Sequence, residues 1–144
     1  MDRHKLKVAV YLILIKEDKV LLARRLNTGW QDGNYSLPSG HLDPDETVVQ
    51  AMVRETKEEI NIQLNPEDLK LVHTMHRMNI YIDFYFTASR YTGEVKNMEE
   101  NKCDALDWFP LEALPENIVP SVKSALDNYP KGVTFSEFEP SLDK

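Results

Sequence analysis

The stretch Gly40-His41-Leu42-Asp43-Pro44-Asp45-Glu46-Thr47-Val48-Val49-Gln50-Ala51-Met52-Val53-Arg54-Glu55-Thr56-Lys57-Glu58-Glu59-Ile60-Asn61-Ile62 decides how the rest of the chain is read. Asp43-Pro44-Asp45-Glu46 looks like a helix start. Asp43 or Asp45 can cap it, proline suits a first turn, and acids suit the positive end of the helix dipole. The helix is expected from Glu46 to Ile60, with Val49, Met52, Val53, Thr56 and Ile60 as its core-facing stripe. Asn61 tolerates the left-handed conformation and can end it. Glu55, Glu58 and Glu59 stand at i, i+3 and i+4 and share a second face. Like charges so placed repel by roughly 0.2–0.5 kcal/mol per pair. Magnesium or manganese would relieve that repulsion, because hard cations prefer carboxylate oxygen. A solvated acidic face is the bland alternative for any such helix, so the surrounding pattern has to decide.

Outward from this segment, the chain alternates strand and turn signals. Leu6 to Lys16 reads as a buried strand, Glu17-Asp18 as a turn, and Val20 to Ala23 as the returning strand. Leu26 to Tyr35 carries Asn27, Gly29, Asp32, Gly33 and Asn34, which is loop chemistry. Ser36 to Gly40 continues the loop, with a short strand near Leu42. Leu69 to Met75, Ile80 to Ser89 and Ala105 to Phe109 read as strands, and Gly93 to Lys102 as a polar loop. Pro120 to Tyr129 suits a final helix, and Val133 to Lys144 a loose tail with some docking by Phe135 and Phe138. Strands, one helix, strands, one helix is the order of an α/β fold with a mixed sheet between helices. No repeat or linker divides residues 1–144, so one domain is expected.

Composition narrows the function classes. The chain has 144 residues, 42% hydrophobic and 28% charged, values typical of a globular protein. No apolar run approaches the roughly 18 residues that span a bilayer, and no secretory signal opens the chain. A membrane role is therefore not expected, and a cytoplasmic home is the simplest reading. Cys103 is the single cysteine, which excludes an internal disulfide and a cysteine-based metal cluster. The net charge of −7 argues against broad nucleic-acid binding. It leaves room for a phosphate substrate bound through divalent cations. Monomer and homodimer both remain open. His73 and His76 lie three apart on a strand, so their side chains point to opposite faces and do not share a metal. Trp30, Tyr35 and Phe84 could stack on a base, although packing is the commoner role, and Trp108 reads as structural.

Gly40, Glu46, Arg54-Glu55 and Glu58-Glu59 also stand in a fixed spacing. In that spacing the sequence resembles the Nudix hydrolase family, whose signature is G-x5-E-x7-R-E-U-x-E-E-x-G-U with U a bulky aliphatic residue. The six fixed glycine, acid and arginine positions match in register. Thr56 replaces an aliphatic residue and Asn61 replaces the late glycine; neither is a ligand position. The box spans residues 40–62. The resemblance implies an α/β/α sandwich. It also implies magnesium, with manganese a possible substitute, held centrally by Glu58 and Glu59. Glu55 is then a further ligand or the base for the attacking water, and the Gly40 carbonyl adds an oxygen. It makes Arg54 the residue that pairs with Glu46 or Glu55 and holds the acids, and Glu46 a structural support. A loop acid, Glu99 or Glu100, is a further candidate ligand. Arg24, Arg25 and Lys102 are candidates for substrate phosphates, as is His41. Tyr35, Ser36 and Val119 are candidates for the base pocket of the small MutT-like branch. No acidic pair stands there to read an oxidised purine. The activity implied is hydrolysis of a nucleoside triphosphate to the monophosphate and pyrophosphate. Alternatives are another nucleoside diphosphate derivative (ADP-ribose, a nucleotide sugar or capped RNA) or a nucleotide-sensing module without turnover.

Overall fold

The computed structural model describes residues 2–139. Its layers follow from the alternation of strand side chains. Strand β1 (Lys7–Ile13) leads into the two-residue strand β2 (Ile15–Lys16), and β3 (Lys19–Arg25) returns. Between them Glu17 and Asp18 both take positive φ, 52° and 64°, as a two-residue hairpin turn of primed type requires. Along β1, Ala9, Tyr11 and Ile13 face one core while Val10 and Leu12, with Leu14 just after the strand, face another. Along β3, Val20 and Leu22 join the first core and Leu21 the second. Both faces are apolar because both are covered.

The covers are the two helices. Helix α1 (Val48–Ile60) places Ala51, Met52 and Ile60 in the second core, and α2 (Pro120–Asn128) places Val122, Ala125 and Leu126 in the first. The remaining strands are β4 (Tyr35–Ser36), β5 (Ser39–His41), β6 (Leu69–Arg77), β7 (Tyr81–Ala88), β8 (Cys103–Pro110) and β9 (Phe135–Phe138). They form a five-stranded mixed sheet in the order β5-β1-β7-β6-β9, with β1/β7 and β6/β9 parallel. A second, antiparallel sheet forms around β3, which pairs with β2, β4 and β8. The α/β/α sandwich is as the sequence suggests. The mixed sheet between the helices is as expected too, and because β1 and β3 pair with different partners a second, antiparallel sheet stands beside it.

The helix begins later than its acids suggest. Asp45 takes φ 63°, and the cap is Thr47, whose hydroxyl accepts the Gln50 N–H while the Gln50 side chain accepts the Thr47 N–H. Asp43 and Asp45 are therefore not the cap, and Glu46 lies outside the helix. At the other end Asn61 is left-handed, φ 66°, as expected. The tail is also more ordered than its composition indicates. Residues Phe135–Phe138 pair with β6, and His73 fastens them through Val133 O at 2.8 Å and Ser136 Oγ at 2.7 Å. Phe138 is buried and Phe135 exposed. The rest of the expected tail, 140–144, lies outside the described residues.

Candidate active site

Strand β5 lies beside β1, and helix α1 crosses next to it. Their junction forms one wall of a cavity of about 850 Å³. Gly40, Glu55, Glu58 and Glu59 all line it. Glu59 accepts the Ser39 N–H at 2.9 Å. Burial pushes its carboxyl well above the ordinary range, the Ser39 N–H pulls the other way, and Glu55 and Glu99 push it further up. Burial also raises Glu55, opposed by Arg54 and assisted by Glu58 and Glu99. Any side chain added at Gly40 would collide with the Glu55 carboxylate, so glycine there lets the acid lie against the strand.

Arg54 is the hub of this wall. Its Nε and Nη2 donate to the two oxygens of Glu46 at 2.7 and 3.0 Å, and Nη1 donates to Glu55 Oε1 at 2.8 Å and Glu58 Oε2 at 3.3 Å. Nη2 also reaches His41 O at 3.1 Å. Glu46 in turn accepts the Asp43 N–H. Held by Arg54 first and that N–H second, its carboxyl falls to about 2. The pairing of Arg54 with Glu46 or Glu55 is thus a pairing with both.

The loop acid is placed by the end of the helix. The Glu59 and Ile60 carbonyls, which have no partner within the helix, accept from Met98 N at 2.9 Å and Lys96 N at 3.0 Å. Asn61 Nδ2 donates to Glu94 O, a contact that glycine could not make. Asn97 then accepts the Glu99 N–H and donates to Cys103 O. This docking puts Glu99 on the cavity wall. Glu100 is exposed and does not line the cavity, so it is corrected as a candidate: the turn points it outward.

The other expected substrate contacts divide. Arg24, Ser36, His41 and Lys102 line the cavity. Arg24 already forms a bidentate pair with Asp104 at 2.7 and 3.2 Å. The Ser36 hydroxyl is buried with no hydrogen-bond partner among the described residues. Tyr35 and Val119 are corrected. Both are buried in the core under α2, Tyr35 edge-on to Phe109 at 4.9 Å, and neither lines the cavity. Phe84 packs in the core under α1, and His73 is fully buried. The sequence reading missed the opposite wall. There Arg77, 5% exposed, pairs with Asp83, fully buried, and lies over the Tyr81 ring at 4.1 Å. The sequence carried no signal for this pair, because β6 already holds Lys70, His73 and His76.

A profile of the NUDIX domain matches residues 5–129. The chain belongs to the Nudix family. It is similar to a human 8-oxo-dGDP phosphatase, 33% identical over 110 residues, which cover 75% of this chain and 33% of the human one. It thus spans about a third of the human relative's length. It is also similar to the Nudix hydrolase YvcI of Bacillus subtilis, 32% identical over 127 residues, with 83% of this chain and 77% of the relative covered. Among solved structures, a MutT NUDIX hydrolase from Burkholderia pseudomallei superposes with a TM-score of 0.79 at 25% identity, covering 85% of this chain and 97% of that one.

Nudix enzymes generally work with a divalent metal, and the residues present fit one. The acidic side chains on the wall are carboxylates, the ligands that hard cations choose. Glu59 has one neutral hydrogen-bond partner and is pushed up by Glu55 and Glu99 against a weaker pull from Arg25, so a divalent cation would relieve this corner of the Nudix box. Among the described residues no three such side chains stand together as a finished cage. No helix of the described residues is long and apolar enough to cross a membrane.

Proposed function

We propose that this chain hydrolyses the anhydride bond between the α and β phosphates of a nucleoside triphosphate, releasing nucleoside monophosphate and pyrophosphate. The observation that carries the reading is the shared wall. Glu55, Glu58, Glu59, Glu99 and Gly40 line one cavity large enough for a nucleotide. Glu58, Glu59, Glu99 and the Gly40 carbonyl would hold magnesium, with Glu55 beside them as the base. When bound, the ion neutralises phosphate oxygens and lowers the pKa of water.

The chain's own groups do the rest. Arg54 ties one oxygen of Glu55, Oε1, and leaves the other to take the proton from water. Burial raises the Glu55 pKa, which makes it a stronger base. Water adds to one of the two phosphorus atoms, the bridging P–O bond breaks, and the departing phosphate product takes the electron pair, giving monophosphate and pyrophosphate in either case. Lys102 and His41, on the cavity wall, contact the phosphates. Glu46 holds Arg54 and touches no substrate.

A nucleoside diphosphate is the second reading, favoured by the name of the human relative. A mixed panel of nucleoside di- and triphosphates, with product identification, separates the two: pyrophosphate from a triphosphate supports the first, and monophosphate with orthophosphate from a diphosphate the second. No magnesium-dependent product from any member would overturn both. Glu58→Gln is expected to lower turnover by more than about a hundredfold, beyond what partners of ligands usually cost. Its thermal melting should stay unchanged, because Glu58 is exposed. Near-normal turnover would remove Glu58 from the reaction.

A further inference from the structure

We infer that Arg77 sets the specificity of this cavity by reading the acceptor edge of a 6-oxopurine base, with Trp30 and Tyr81 flanking its guanidinium. The inference rests on the reading of the cavity as a nucleotide site and adds which nucleotide it takes.

Arg77 comes from the end of β6 and is turned back across the sheet. Its Nε donates to Asp83 Oδ2 at 2.5 Å and its Nη2 to Asp83 Oδ1 at 3.1 Å. Nη2 also donates to Tyr11 OH at 3.4 Å. The guanidinium carbon is 4.1 Å from the Tyr81 ring centroid and 5.5 Å from that of Trp30. Arg25 stacks on the same Trp30 ring at 5.0 Å. Trp30 is itself fixed, since Arg25 Nε donates to its carbonyl at 2.7 Å. Asp32 accepts the Thr28 and Gly29 N–H groups and braces the loop. Burial works most strongly against the Arg77 charge, but Asp83, with Tyr11 and Tyr85, together outweighs it and holds the group above its ordinary range.

This is a pre-oriented group with donors left over. Arginine has five N–H donors and no acceptor. Those on Nε and Nη2 are engaged, and the two on Nη1 have no partner among the described residues. A donor-only group suits an edge that offers only acceptors, such as O6 and N7 of guanine or hypoxanthine. Adenine and cytosine place an amino donor on that edge, and uracil lacks the second acceptor.

The position agrees. Tyr11 is the register partner of both Ser39 on β5 and Tyr85 on β7, and the Ser39 N–H holds Glu59. Arg77, Trp30 and Tyr81 line the same cavity as Glu55, Glu58 and Glu59, so one nucleotide bound there can meet both groups.

The test is calorimetric binding of GMP, IMP, AMP, CMP and UMP to the whole chain in magnesium buffer; none of these has an anhydride bond to cut. GMP and IMP should bind about tenfold or more tightly than the others. Arg77→Lys keeps a cation beside Asp83 but removes the planar fork, and should bring all five within about threefold. The paired change Arg77→Gln with Asp83→Asn leaves no buried charge and should do the same if the lysine variant does not fold. Equal binding of all five by the wild type, or a preference that survives in either variant, overturns the inference. So does a uniform weakening that leaves the preference intact, which would make Arg77 a phosphate contact. If GMP is selected but no nucleotide is hydrolysed, the catalytic reading falls and this one stands. If hydrolysis occurs with no base preference in binding, this one falls alone.

Discussion

The two walls of the cavity are built in opposite ways. The acid wall takes Glu55, Glu58 and Glu59 from a single turn and a half of α1 and sets them against Gly40. The facing wall gathers Arg77 from β6, Asp83 and Tyr81 from β7, Tyr11 from β1 and Trp30 from a loop. The acid wall is an assembly of like charges, with Glu59 pushed up by burial and by its neighbours. The facing wall is a buried ion pair. One is ready for a positive ligand and gains little by being left alone; the other contributes to holding the sheet in register. Damage should therefore show as lost chemistry on the first wall and as lost stability on the second.

The largest effect is expected on the facing wall. Arg77→Ala strands the fully buried Asp83, and removing one partner of a buried pair costs about 3–5 kcal/mol. For a chain of this length that lowers the melting temperature by about 10 °C or more. Urea unfolding checks it, and a loss below about 1 kcal/mol would show that the pair does not hold the sheet. The acid wall should respond differently. Arg54→Ala removes the group that holds Glu46, Glu55 and Glu58. The expected result is a 10- to 100-fold weaker magnesium dependence, the usual cost of losing a partner of metal ligands. Its unfolding midpoint should move much less than that of the Arg77 variant, since Arg54 is only half-buried. An unchanged magnesium titration would mean that the acids orient themselves.

The same contrast explains what could be read in advance. The acid wall needs only that residues 48–60 be helical, and helical spacing is written in consecutive residues. The two helices, the first hairpin and the Asn61 terminus were legible for that reason. The cap was not, because Asp43 and Asp45 fit the rule as well as Thr47, and only the left-handed Asp45 rules them out. Glu99 was separable from Glu100 only by how the loop docks on the Glu59 and Ile60 carbonyls. The facing wall depends on the pairing of β6 with β7 and of β7 with β1. Register is a long-range property, so Arg77 and Asp83 looked like ordinary strand charges. Tyr35 and Val119 failed for the converse reason. They join through Val119 N to Tyr35 O at 2.8 Å, which turns both side chains into the core. Strand β9 escaped because a four-residue segment carries little periodicity, and the anchoring His73 is sixty-three residues before Ser136.

The smallest effect sharpens the comparison within the acid wall, where Glu46 and Glu59 titrate with opposite sign. Glu59 lies above its ordinary value, so its ionisation weighs against the fold as pH rises. Glu46 is held at about 2 against an ordinary 4.5. The unfolded chain therefore takes up that proton first. Ionised Glu46 favours the fold at and above about pH 4.5, and its contribution drains away as pH falls toward 2. Glu46→Gln has nothing to lose in that window, while every other carboxyl titrates alike in both proteins. At neutral pH the variant should have the lower urea midpoint, and the gap should close between pH 4.5 and 2. A gap that stays constant through the window would show that Arg54 does not depress Glu46, and that the two acids differ in burial alone.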